Sequence, residues 1–155
     1  MTRELEGKIM DNEDLVREYS NNLTTYEQFT NLMETYICNL LNREQISFHS
    51  ISRTKSIENL SKKIELKNKY QKLDEITDLS GIRVITYYTD TVDQISKLIE
   101  NEFIIDRDNS IDKRKSLDPK RFGYRSLHYV VQIDPKYVKA QEYLKYHNLK
   151  LEIQI

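Results

Sequence analysis

From Asn12 to Arg43 the apolar residues fall at Leu15, Tyr19, Leu23, Tyr26, Phe29, Met33, Tyr36, Ile37, Leu40 and Leu41. Steps of three and four place them on one face of a helix. The spacing predicts a long amphipathic helix with a break near Asn21–Thr25, its aromatic stripe serving as a packing face. The period then changes to two. Ile46 and Phe48 alternate with polar partners toward Ile51, which reads as a short strand. Ser56 or Thr54 offers an N-cap for a helix over 57–67 with Leu60 and Ile64 on one face. A turn at Asp74–Asp78 leads into a strand over 79–88 centred on Val84 and Ile85. A helix over 91–101 buries Val92, Ile95, Leu98 and Ile99. Strands follow at Phe103–Ile105 and Leu127–Ile133, then a short helix at Tyr137–Tyr146. In the last strand, Leu149–Ile155, four apolar residues alternate with Lys150, Glu152 and Gln154. Period two therefore sets Glu152 and Gln154 on a polar face opposite the core.

Three places in this pattern carry charge where chemistry could use it. Lys113 to His128 holds six Lys or Arg among sixteen residues and one acid, Asp118. Gly123 permits a turn there, and Tyr124 sets a flat ring beside the cations. That suits a nucleotide, the ring taking a base and the cations the phosphates; a solvated basic loop fits the same residues. Arg53 and Lys55, two apart on an extended segment, point the same way at a helix start. They read as a phosphate clamp or as a pair of exposed strand-end charges. Lys63 belongs either to the clamp side or to a solvated helix face. Asp78, at the start of a strand, reads either as a turn former or as a ligand for magnesium, which takes one or two carboxylates plus substrate phosphates.

Composition narrows the classes. The 155 residues suit one core. The net charge of −1 excludes a globally basic nucleic-acid binder. Residues 52–72 nevertheless carry seven bases and two acids, and 106–125 seven bases and four acids, while 1–30 carry seven acids and three bases. Such short cationic islands fit a compact anionic ligand better than a long phosphate backbone. One cysteine, Cys38, excludes an internal disulfide and a Cys-rich metal site and reads as a small packing residue. No apolar run approaches the ~20 residues that span a bilayer, and no signal peptide is evident. A cytoplasmic protein without membrane association is expected.

Arg53-x-Lys55, Asp78-Leu-Ser-Gly-Ile-Arg83, Lys113 to Lys120-x-x-Gly123-Tyr124-Arg125-Ser126-Leu127-His128, and Glu152-Ile-Gln154 occur in one order. Together they resemble the synthetase domain of the RelA/SpoT family, the (p)ppGpp synthetases, over roughly residues 45–155. The resemblance implies an α/β fold of nucleotidyltransferase type, a mixed sheet of about five strands flanked by helices. It divides the chain into an N-terminal helical region, 1–44, and a synthetase domain, 45–155. It implies transfer of pyrophosphate from ATP to the 3′-hydroxyl of GDP or GTP, with Mg2+ as cofactor.

Residue by residue, the resemblance implies that Arg53 stacks on adenine and that Lys55 and Lys63 hold the ATP phosphates. Asn59 stands where the family usually has a serine near those phosphates; its amide still donates a hydrogen bond. Asp78 and Glu152 would bind magnesium, with Glu152 also a candidate base. Lys113, Lys120, Tyr124, His128 and Gln154 would serve the acceptor. Phe122 replaces a common Asn and alters the acceptor side. The chain stops at Ile155 where the family continues, so a C-terminal truncation is expected, and a small stand-alone type is implied. Two other readings stay open: a toxin-type relative that pyrophosphorylates the 3′ end of tRNA, and an inactive nucleotide-binding remnant. The acceptor, a neutralising antitoxin and a homo-oligomer are left undecided by these residues.

Overall fold

The computed structural model describes residues 10–112 and 126–155. The long helix expected with a break near Asn21–Thr25 is formed as helix α1, Asn12–Asn21, and helix α2, Leu23–Arg43. They part at Asn22, whose side chain donates to the Glu18 carbonyl (2.8 Å) and so competes with the helical ladder. The break lies where the pattern placed it. Strand β1, His49–Thr54, begins three residues later than Ile46, which is buried ahead of it. Helix α3, Ile57–Lys67, is capped by Ser56, whose Oγ accepts from the Asn59 amide (3.1 Å), and ends on Asn68 in the left-handed region.

A 3-10 turn at Leu73–Glu75 precedes strand β2, Ser80–Ile85. The strand expected to reach residue 88 stops at Ile85; Tyr87 and Tyr88 are exposed, and helix α4 starts at Thr89 and runs to Glu102. Strands β3, Phe103–Ile105, and β5, Leu127–Ile133, match their expected limits. The two-residue strand β4, Ile111–Asp112, was not legible in the pattern. It continues the β3 edge along β5 after an excursion over 106–110, where Ser110 Oγ accepts from the Val130 amide and fills the gap in the ladder.

The helix expected over 137–146 shrinks to α5, Gln141–Leu144. Asp134 ties back onto the Lys136 amide (2.9 Å) and starts a turn. Tyr143 and Tyr146 are held instead by rings of α2, packing on Tyr36 and Phe29 with centroids 5.9 and 5.7 Å apart. Strand β6, Leu151–Gln154, closes the chain.

The strands form one mixed sheet in the order β1-β2-β6-β5-β3, with β4 also on β5. Among the described strands only the β2–β6 pair is parallel. One face is buried. Ile82, Val84, Leu151, Ile153, Tyr129 and Val131 meet Phe29, Met33, Ile37 and Leu41 of α2 and Ile95 and Ile99 of α4. A second apolar cluster joins Leu15 and Tyr19 of α1 to Leu60 and Ile64 of α3 and to Leu73, Ile76 and Leu79. It stands beside the N-terminal end of β2 and fixes α3 there. The opposite sheet face carries Arg53, Arg83, Glu152, Gln154 and His128 together with Ile51 and the buried Val130. No helix among the described residues is long and apolar enough to cross a membrane.

Candidate active site

Strand alternation and register build the site. On the open face, Arg53 of β1 is paired with Gly81 of β2, Gly81 with Glu152 of β6, and Glu152 with Val130 of β5. The neighbouring row reads Ile51, Arg83, Gln154 and His128. Neighbouring strands lie roughly 4.8 Å apart, so residues from four strands meet within one ligand's reach. A cleft of about 220 Å³ opens here, lined by Ile51, Arg53, Asp78, Gly81, Ile82, Arg83, Glu152 and Gln154. That is below the ~300–1,000 Å³ of a whole small-molecule site, and it suits one flat portion of a ligand whose remainder lies outside. Gly81 forms the floor. A Cβ there would meet only the Glu152 carbonyl at 3.7 Å, an ordinary contact. The backbone does not demand glycine, so its effect is to leave the space between Arg53 and Glu152 open.

Asp78 sits at the rim, in the turn before β2, with both expected clamp lysines on it. Lys55 Nζ lies 3.0 Å from one carboxylate oxygen and Lys63 Nζ 2.7 Å from the other. Lys55 is fixed further by its backbone. Its amide donates to the Leu79 carbonyl (2.8 Å), and its carbonyl accepts from the buried Tyr19 hydroxyl. Burial alone would raise the Asp78 pKa, but the hydrogen bonds and charges of Lys63 and Lys55 outweigh it and hold the carboxyl below its ordinary value of 3.8. The ammonium groups expected to hold phosphate are thus both engaged by Asp78 in this structure.

At the other end, the Nδ1 of His128 stands 3.9 Å from Glu152 Oε1, an ion-pair distance when the imidazole is protonated, and its Nε2 lies 3.1 Å from Ser126 Oγ. Gln154 accepts from Arg83 through Nε (3.3 Å) and Nη2 (3.2 Å). Of the expected site residues, the cleft itself gathers Arg53, Asp78, Glu152 and Gln154, with Lys55, Lys63 and His128 at its margins. Asn59 is exposed on the first turn of α3 and does not line the cleft. Lys113, Lys120 and Tyr124 lie outside the described residues, as does Phe122. Arg83 had no role assigned from sequence. The signal for it was present: Gly81 and Arg83 share strand parity opposite the apolar Ile82 and Val84.

Among the described residues no group of three or more His, Cys, Asp or Glu side chains could hold a metal. Asp78 and Glu152, both lining the cleft, supply two hard oxygen donors, which suits magnesium once substrate phosphates add theirs.

The family model described as "Region found in RelA / SpoT proteins" matches residues 52–155. GTP pyrophosphokinase YwaC of Bacillus subtilis (strain 168) is 28% identical over 155 residues, covering 91% of this chain and 69% of that protein. Among solved structures, small alarmone synthetase 2 of Bacillus subtilis superposes with a TM-score of 0.67 at 24% identity, covering 89% of this chain and 71% of that one. Small alarmone synthetase 1 of the same organism, bound to its product pppGpp, gives 0.69 at 18% identity, covering 90% and 73%. At these identities the structural likeness establishes the fold.

Proposed function

Because the chain belongs to the RelA/SpoT family, we propose that it is an ATP-dependent pyrophosphokinase that makes (p)ppGpp from ATP and GDP or GTP. The observation that carries this reading is the placement of Glu152. It is a carboxylate on the polar face of a strand otherwise built for the core, in register with Gly81 and beside Arg53 and Asp78 in one cleft.

The reaction joins the acceptor 3′-oxygen to the β-phosphorus of ATP and breaks the α–β phosphoanhydride bond, releasing AMP. Charge builds on the transferring group, so positioning and cations supply most of the rate. Arg53 offers its guanidinium plane to adenine over the Gly81 floor. Lys55 and Lys63, drawn from Asp78, take the phosphates along the start of α3. Glu152 accepts the proton of the attacking hydroxyl, a role worth roughly 10²–10⁴-fold. His128, close to Glu152, steadies that carboxylate and the acceptor beside it. Magnesium held by Asp78 and Glu152 would neutralise phosphate charge. Tyr124, Lys113 and Lys120 complete the acceptor side on the strength of the family motif. On this reading the helical region 1–44 serves the 45–155 synthetase unit as cover for its sheet, since α2 packs on β1 and β2.

The test incubates the protein with γ-labelled ATP, magnesium, GDP, GTP and bulk tRNA together and separates the products. Label on the guanine nucleotides is expected. Label confined to tRNA would refute the acceptor, and no transfer to any acceptor would refute the activity.

A further inference from the structure

The resemblance gives Gln154 to the acceptor; in the structure its side chain meets Arg83, within the cleft that Arg53 also lines. An arginine side chain carries donors only. The amide of Gln154 must therefore turn its oxygen to Arg83, and that one oxygen receives both Nε and Nη2. Two hydrogen bonds to one edge of a guanidinium fix the direction of its plane, which a single bond does not. Arg83 and Gln154 are register partners on β2 and β6, so the strands already bring the two side chains together. Both line the cleft with Arg53 and the Gly81 floor. Among the described residues Arg83 has no ion pair, and Gln154 is its recorded side-chain partner.

We infer that Gln154 is a positioning residue for Arg83. It holds the guanidinium as the second wall of the cleft, opposite Arg53, and acts through Arg83 on the affinity for the donor nucleotide. The inference rests on the reading of this cleft as the ATP site. An isolated exposed arginine samples many rotamers, and binding a base would have to order it. Gln154 orders it beforehand, at the cost of one amide whose own nitrogen stays available to a ligand atom.

Calorimetry with a non-hydrolysable ATP analogue plus magnesium, and separately with GDP, tests this on the wild type, Gln154→Met, Arg83→Ala and the double variant. Met keeps the length of the side chain and removes the acceptor oxygen. Gln154→Met is expected to weaken the donor analogue on the order of fivefold to tenfold and to leave GDP within about twofold. In the Arg83→Ala background the same substitution is expected to change donor affinity less than about twofold, the non-additivity of a coupled pair. Thermal unfolding of all four proteins separates these effects from a loss of folding. Weakened GDP binding with donor binding intact would overturn the inference, as would a full additive effect in the Arg83→Ala background. A wild-type protein that takes GDP but not the ATP analogue would overturn the donor-site reading beneath it.

Discussion

Replacing Asp78 by Asn keeps the shape of the side chain and removes the charge on which two lysines converge. The magnitude follows from where the three groups stand. Exposed ion pairs contribute roughly 0–1 kcal/mol, while breaking a fully buried pair costs roughly 3–5 kcal/mol. The side chains of Lys55, Lys63 and Asp78 are 13%, 25% and 16% exposed, so the site lies between those limits and closer to the second. The amide of Asn still accepts one hydrogen bond, which softens the loss. We expect Asp78→Asn to destabilise the fold by about 2 kcal/mol at pH 7, or about 4–8 °C for a chain of this size.

The dependence on pH has a definite sign. The folded pKa of Asp78 lies below the ordinary 3.8, so its contribution is fully present above that value. It declines as pH falls below 3.8 and is gone once Asp78 is protonated in the folded protein. Urea unfolding of wild type and variant between pH 7 and pH 2.5 should show two curves that draw together as pH falls below 3.8. Equal stability at pH 7, or a gap that does not narrow as pH falls below 3.8, would refute the account of Asp78 as the anchor of both lysines.

Other consequences follow from the same geometry. Glu152→Gln should preserve the thermal midpoint and lower pyrophosphate transfer by roughly two to four orders of magnitude; activity within a few-fold of wild type would remove Glu152 from the proton transfer. Gly81→Ala should leave the fold intact, since a Cβ there makes only an ordinary contact, yet weaken binding of an ATP analogue on calorimetric titration by filling the cleft floor. The Ser80 hydroxyl is buried with no hydrogen-bond partner among the described residues, so Ser80→Ala should be neutral or stabilising by up to about 1 kcal/mol in urea unfolding. Ile153→Ala, at a fully buried position between the sheet and α2, should by contrast cost about 2–5 kcal/mol in the same assay.

The sequence by itself determined the elements whose pattern is local. The three-and-four spacing of α1 and α2, a cap from Thr54 or Ser56 at the start of α3, the apolar run of β5 and the alternation of β6 each depend on near neighbours, and the structure keeps them, with Ser56 as the cap. Strand parity also set Glu152 and Gln154 apart from the core before any fold was known, and the ordered motifs identified the family. What the sequence could not hold was partnership. The convergence of Lys55 and Lys63 on Asp78 spans two elements and a turn, and the Arg83–Gln154 contact joins residues 71 positions apart. Both exist only because β2 and β6 pair in one parallel register and α3 docks on α1. The ends of β2 and the helix expected at 137–146 were also decided by tertiary contact. Period alone cannot see that rings of α2 hold Tyr143 and Tyr146, nor that 106–110 leaves the sheet edge and returns as β4. Side-chain spacing records which face a residue belongs to, whereas the distance between two faces is a property of the packed chain.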